Sequence, residues 1–260
     1  MQLSISKIKT FKACRRKYEL RYVEKLIPEK KAEALETGSS YHKLIEELSK
    51  TGHLRECDYS REYAMAKAYE KYIYPNISVE ETEKELEYKS EWLADGDSII
   101  GFADGIAKDG HIVEHKTYGG NDSMEAYEYN LEWDEQILMY MLMTGMNKVW
   151  YTVCRKPTIR KKKGEEDEEF YERMLAWYDE DPDNRIKLME IERTQKEVAK
   201  FERELKDIYL EMKYAAAEEL RNPYYRNTCH CSMWGSRCEY DPVCLNYDRN
   251  LSYIGFKKGE

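Results

Sequence analysis

The 260-residue sequence contains no run approaching the roughly 18 consecutive apolar residues of a membrane-spanning helix. Its first residues, Met1-Gln2-Leu3-Ser4-Ile5-Ser6-Lys7, lack the apolar core of a signal peptide. The expectation is an intracellular protein with no membrane partner. Positive charge is not in excess either: the formal net charge is −9, which argues against a nonspecific basic coat for nucleic acid. A nuclease stays open, because metal-site carboxylates add negative charge and basic residues can be concentrated locally. No internal repeat or low-complexity tail is visible, so the chain reads as one core, or a core with a small lobe. Among its seven cysteines there is no C-x2-C pair of the common zinc-knuckle kind. Without a secretory signal, those cysteines point to metal or redox chemistry rather than a disulfide framework.

What is present is a polar, soluble composition, with 36% charged and 42% hydrophobic residues. Twenty-three tyrosines suit interface, core and base-stacking uses. Gly101-Phe102-Ala103-Asp104 and Ile112-Val113-Glu114-His115-Lys116 read as two strands joined at Lys108-Asp109-Gly110. Strand side chains alternate, so Glu114 and Lys116 share a face and His115 turns away. A shorter loop pairs Asp104 with His115. A longer one ending in Gly110 at positive φ pairs Asp104 with Glu114 and faces Ile106 to Ile112; this is the register we favour. Two carboxylates and an ammonium then share one patch, which is what a catalytic divalent metal needs. The plain alternative is an ordinary polar hairpin.

Residues 3–24 read as a helix capped by Ser4 or Ser6, with Ile5, Ile8, Phe11, Tyr18 and Tyr22 on one face. Lys7, Lys9, Lys12, Arg15, Arg16, Lys17 and Arg21 make it either a solvated face or a phosphate-tracking surface. Cys14 falls inside it. After a charged connection over 25–37, Gly38-Ser39-Ser40-Tyr41-His42 opens a second helix, with His42 and Glu46 on one face. A lone helical histidine is more often structural than a ligand, and Glu46 either supports it or is surface. Residues 60–75 read as a third helix, 85–92 as a flanking strand and 119–129 as a loop. Residues 131–144 form a helix ended by Gly145, with Gln136 and Tyr140 one turn apart. Residues 148–155 are a strand, 165–178 and 194–220 helices, and 185–193 an extended edge strand. The loop over 155–169 offers Arg160-Lys161-Lys162-Lys163 as a further phosphate contact. Strand, strand, helix, strand is the signal of an α/β core.

The end of the chain places Cys229, Cys231, Cys238 and Cys244 within sixteen residues. Thiolates bind zinc or iron–sulfur clusters alike, and the alternative is unbound reduced thiols.

Taken in order, these pieces resemble the PD-(D/E)XK nuclease superfamily. They are the helix with Cys14-Arg15-Arg16-Lys17-Tyr18, Gly38-x3-His42-x3-Glu46, Gly101-x2-Asp104, Glu114-x-Lys116-Thr117, Gln136-x3-Tyr140 and the cysteine-rich end. The branch they are most similar to is the RecB-type nuclease domain, shared with CRISPR-adaptation nucleases and phage recombination exonucleases. The resemblance implies a restriction-endonuclease-like α/β core, a central mixed sheet flanked by helices. It also implies a single domain over 1–260, with a cysteine-rich, metal-bound segment at 227–246 near the N-terminal helix. By the same resemblance His42, Asp104, Glu114 and the His115 backbone carbonyl are ligands of Mg²⁺ or Mn²⁺, the imidazole leaning the site toward Mn²⁺. Lys116 would assist the attacking water, and Gln136 and Tyr140 would position DNA. Ala103 stands where family members often carry proline. Some members hold a [4Fe–4S] cluster on one N-terminal and three C-terminal cysteines; here those match Cys14, Cys231, Cys238 and Cys244. Cys229 is the alternative to Cys231, and structural Zn²⁺ the alternative metal. The match to Cys231, Cys238 and Cys244 rests on the intervening Trp234-Gly235 and Tyr240-Asp241-Pro242 elements.

The implied activity is metal-dependent DNA hydrolysis, an exonuclease acting on ends or single strands in phage-type recombination or DNA processing. CRISPR adaptation is the alternative pathway. Implied partners are DNA and a single-strand annealing or other recombination protein; a homo-oligomer is compatible. The implied place is the cytoplasm, that of the host for a phage-encoded member. A DNA-binding or scaffold subunit with a degraded core should lack one of Asp104, Glu114 and Lys116, and all three are present. A purely structural zinc module leaves the hairpin constellation unexplained.

Overall fold

Strands β4 (Ser98–Ala107) and β5 (Ile112–Tyr118) form the expected antiparallel hairpin in the computed structural model of the chain. The structure describes residues 1–29, 33–56, 58–119, 123–217, 222–233, 237–245 and 255–259. Cys57, the Trp234-Gly235 element and parts of the 25–37, 119–129 and 194–220 segments lie outside the described residues. Gly105 pairs with Val113 and Ile106 with Ile112. Ile106 faces Ile112 as the favoured register requires; beyond Gly105 the His115 N–H donates to the Asp104 carboxylate. Gly110 closes the turn at φ 81°, in the left-handed region that a residue without Cβ adopts at no steric cost.

The chain divides into two compact units. One, the sheet unit, comprises Glu33–Tyr88 and Gly101–Ala199; the other, the cysteine unit, comprises Met1–Ala32, Lys89–Ile100 and Lys200–Glu260. In the sheet unit β3 (Val79–Tyr88) pairs with β4, β6 (Lys148–Arg155) runs parallel to β5, and β7 (Ile186–Glu192) closes antiparallel on β6. This is a mixed sheet. Two apolar clusters cover it. Val113 belongs to the cluster with α3 (Glu33–Thr51), α4 (Arg61–Tyr72) and α7 (Asp167–Glu180), where Tyr41, Ile45, Met65, Tyr69 and Tyr178 are buried. Ile112 belongs to the cluster with α5 (Met124–Leu131) and α6 (Glu135–Thr144), where Ile137, Tyr140 and Met141 are buried. Adjacent residues of a strand point to opposite faces, so helices cover both sides of the sheet.

Helix α5 occupies the segment expected to be a loop. Ser123 caps it by accepting the Ala126 N–H. Helix α3 also starts earlier than Gly38.

In the cysteine unit, β1 (Gln2–Leu3) runs parallel to the first residues of β4, and β2 (Leu26–Pro28) pairs with β8 (Phe256–Lys258). The N-terminal helix is not continuous. Helix α1 (Ile5–Ala13), capped by Ser4, stops at Cys14, whose backbone is extended at φ −161° and ψ 113°. Helix α2 (Arg15–Tyr18) follows and loosens into a π turn. The placement of Cys14 inside a helix is thereby corrected. The tail supplies the reason: Asn227 Nδ2 donates to the Ala13 carbonyl, and the Arg16 N–H donates to the Tyr225 carbonyl. The basic residues near the break are paired with acids, Arg15 with Glu211, Arg16 with Glu19 and Glu24, and Lys17 with Glu239. That favours a paired structural face over an open phosphate track. Helix α8 starts at Gln195 and ends at Ala216, and a short α9 (Asp241–Leu245) carries Cys244. Leu20, Leu26, Tyr240, Val243 and Phe256 form one small apolar cluster of this unit. Among the described residues, no helix is long and apolar enough to cross a membrane.

Candidate active site

Gly101 begins the site by what it lacks. A Cβ there would come within 3.0 Å of the Tyr140 ring and 3.3 Å of the Met143 sulfur. Its absence lets α6 press against β4, so that the Tyr140 hydroxyl donates to the Phe102 carbonyl at 2.5 Å. Gln136, one turn earlier on α6, donates to the Tyr140 hydroxyl at 2.8 Å and to Glu114 Oε1 at 2.9 Å. Its own Oε1 accepts from Lys116 Nζ at 3.1 Å, and Lys116 also pairs with Glu114 Oε1. Sheet and helix thus fix Glu114, Lys116, Gln136 and Tyr140 in one hydrogen-bonded chain.

Asp104 continues the cluster. Its Oδ2 accepts the His115 N–H at 2.6 Å, and its Oδ1 lies 3.1 Å from Nδ1 of His42, brought in by α3. The His115 ring turns away from the carboxylates, as alternation requires. It hydrogen-bonds Thr152 at 2.7 Å and packs edge-on against Tyr69. Glu46 pairs with Lys50 rather than with His42.

The electrostatics separate the two carboxylates. Burial opposes the Asp104 charge, but His42 and the His115 N–H outweigh it and hold its pKa below the usual carboxylate range. Burial pushes Glu114 up to about 7; Lys116 offsets this only in part, and the Asp104 charge adds to it. For His42 and Lys116 burial again opposes the charge, yet the carboxylates beside them win and both pKa values rise. Buried His115 is pushed down to about 4, so its ring is neutral.

The donor set suits a divalent cation. Glu114 Oε2 is buried and has no hydrogen-bond partner among the described residues. A buried carboxylate oxygen left this way is costly unless something pairs with it. Two carboxylates with one imidazole are ligands that Mn²⁺ accepts, and Mg²⁺ accepts the oxygens. As the side chains stand, no group of three histidines, cysteines or acids among the described residues forms a ready-made ligand cluster. His42 and Asp104 bond to each other instead, so a cation would have to take the place of that contact.

Beside this cluster opens a cleft of about 770 Å³ lined by Ser39, His42, Lys43, Glu46, Glu83 and Lys156, among others. Sequence reasoning missed Glu83. It sits at φ 49°, rare for a residue with a side chain, and burial and the charges of Asp104 and Glu46 raise its pKa. No periodic pattern in β3 could have signalled it.

In the cysteine unit, a cavity of about 290 Å³ is lined by Cys14, Cys231, Cys238 and Cys244. Cys229 is exposed and does not line it. The break after α1 leaves Cys14 Sγ within 3.4 Å of the Asn227 N–H, and the Cys238 N–H bonds the Cys231 carbonyl at 2.9 Å. Burial raises the Cys238 pKa, against the Tyr240 N–H and Lys17, with the Cys14 and Cys231 thiols adding to it. The described cysteines are free thiols.

The sequence model of the PD-(D/E)XK nuclease superfamily matches residues 2–245. No curated protein matches the chain significantly. Among solved structures, a putative exonuclease from Eubacterium rectale aligns over 100% of this chain and 90% of its own, at 13% identity and a TM-score of 0.56. An alkaline exonuclease from Laribacter hongkongensis aligns over 84% and 93%, at 14% identity and a TM-score of 0.37. A phage-related exonuclease from Haemophilus somnus 129PT aligns over 80% and 91%, at 14% identity and a TM-score of 0.38.

Proposed function

The chain belongs to the PD-(D/E)XK nuclease superfamily, and we propose that it is a metal-dependent deoxyribonuclease, an exonuclease acting on DNA ends or single strands. The observation that carries this reading is the buried Glu114, one oxygen on Lys116 and the other without a partner among the described residues, within reach of the Asp104 charge. His42, Asp104 and Glu114 would hold Mg²⁺ or Mn²⁺, with the His115 carbonyl as a further ligand. When bound, the ion supplies an activated water and neutralises phosphate charge. Lys116 carries the proton chemistry: the carboxylates keep it charged, so it orients the attacking water and offsets the negative charge that builds on the phosphate. Gln136 aims Lys116 and Glu114, and Tyr140 locks Gln136 to β4. Exonuclease rather than endonuclease is supported by the activity ascribed to the Eubacterium rectale protein.

Cys14, Cys231, Cys238 and Cys244, which line the second cavity, would hold a [4Fe–4S] cluster, with Zn²⁺ as the alternative, once their thiols draw closer than they now stand. Bound there, a cluster ties residue 14 to the tail, and its binding energy becomes folding energy. Iron and zinc are separated by the visible absorbance and metal content of protein purified anaerobically.

The test of activity is cleavage of end-labelled linear and circular DNA, single- and double-stranded, with Mg²⁺ or Mn²⁺. Loss of label from linear strands with circles intact is the expected result. Equal cutting of circles overturns the exonuclease assignment. No cleavage of any substrate by folded, metal-replete protein overturns the nuclease reading and leaves a DNA-binding subunit.

A further inference from the structure

In the sheet unit, the large apolar or aromatic side chains left exposed among the described residues are Tyr59, Phe102, Tyr129 and Trp133. All are aromatic, and two of them adjoin the hydrogen-bonded chain of Glu114, Lys116, Gln136 and Tyr140 through the backbone: the Phe102 carbonyl accepts from Tyr140, and Trp133 lies three residues before Gln136. Phe102 is 52% exposed and Trp133 70%. Phenylalanine has no polar group to justify that exposure. Its place is not accidental in the strand: Phe102 and Asp104 are two residues apart, so they project from the same face of β4. Along β4, Gly101, Ala103 and Gly105 are buried while Phe102 and Asp104 are not. The Phe102 backbone is also clamped, because its carbonyl accepts from Tyr140. The exposed ring therefore stands on a rigid strand beside the carboxylate that defines the site. Trp133 lies in the turn leading into α6, next to the cap Asp134 and three residues before Gln136.

We propose that Phe102, with Trp133 as a second ring, is a base-stacking residue that selects unpaired DNA at the active site. The inference rests on the nuclease reading above. An aromatic face stacks on any base, so it favours no sequence, but it needs a base whose own face is free. Only single strands and frayed ends offer such bases next to the reacting phosphate. The rings would thus hold a nucleotide beside the phosphate that Lys116 and the carboxylates act on. They make Phe102 and Trp133 positioning residues for the strand, with no part in the chemical step.

The experiment is a cycle between ring and base. Wild type, Phe102→Ala, Phe102→Trp and Trp133→Ala are assayed with Mn²⁺ on a labelled single strand and on blunt duplex. The same strand is also tested with an abasic residue at each position flanking the cleaved bond. Circular dichroism checks the fold of each variant. Expected for Phe102→Ala is a loss of roughly tenfold or more in kcat/KM on single strands, from the usual strength of base–aromatic stacking, with a smaller loss on duplex. Phe102→Trp should retain the preference. One abasic position should cost wild type a similar factor and Phe102→Ala almost nothing, because the pair is already broken. A folded Phe102→Ala variant with the wild-type abasic penalty and strand preference sinks the inference alone. A wild-type chain that cuts no DNA sinks the nuclease reading, and this inference with it.

Discussion

The carboxylate site and the thiol cavity both gather ligand-type side chains, but they are held together in opposite ways. Asp104, Glu114 and Lys116 sit on paired strands with helices on both faces, and each has a protein partner: His42, Lys116 and Gln136 close most of the contacts. Cys14 sits at a helix break, Cys231 at the end of a single turn and Cys244 on the short α9, with Cys238 and Cys244 packed against a small apolar cluster. The first site keeps its scaffold without an ion and gains chemistry from it. In the second, hydrogen bonds from Asn227 and to Tyr225 and the Lys17–Glu239 ion pair already tie residue 14 to the tail, and a bound cluster would add to them. A divalent ion should therefore govern activity in one unit, and a cluster should add stability in the other.

That contrast can be broken most severely at Lys116. Lys116→Ala should lower single-turnover DNA cleavage by about a thousandfold or more, since both a water-orienting group and a charge are lost. Its melting temperature should stay within a few degrees of wild type, because the sheet does not depend on the side chain. Collapse of the fold would show that the ion pair with Glu114 is structural.

Next in size is Cys14→Ser, which should abolish the visible absorbance or zinc content and lower Tm by about 5–10 °C. Cys229→Ser should do neither, and equal loss from both would remove the distinction drawn by the cavity lining.

The carboxylate site should also be pH-dependent. Glu114 titrates near pH 7 in the metal-free protein, above its unfolded value, and must lose its proton to hold a cation. Mn²⁺ affinity should be level above about pH 7 and fall at least tenfold per unit below it, as a proton competes with the ion. His42, whose pKa is also raised, steepens the fall. Calorimetry at several pH values measures it, and a flat profile would show that Glu114 is no ligand.

The smallest effect belongs to Tyr140→Phe. It removes the donor to the Phe102 carbonyl and the acceptor from Gln136, worth about 1 kcal/mol, or roughly fivefold in cleavage rate. An unchanged rate would show that Gln136 needs no anchor.

Alternation and turn chemistry made the hairpin legible in the sequence. Gly110 set the loop, the loop set the register, and the register put Ile106 opposite Ile112. Strands β6 and β7 were readable for the same reason, as β-rich runs between clear stops. Where local pattern and long-range contact compete, the sequence was silent. The break at Cys14 is held by Asn227 and Tyr225, over two hundred residues away, and nothing near residue 14 announces it. Helix α5 hid in a polar segment whose one signal was the Ser123 cap. Glu83 enters the cleft through a left-handed backbone that no periodicity predicts. The site was legible where strand geometry dictates it and hidden where helices and bulges deliver side chains from elsewhere.

The most direct test of the central claim is Mn²⁺ binding and DNA cleavage measured together on wild type and Asp104→Asn. The account predicts that wild type binds Mn²⁺ at the sheet unit and degrades end-labelled DNA. The variant, folded and with its cysteine metal intact, should lose both. Retention of wild-type cleavage by Asp104→Asn would contradict it.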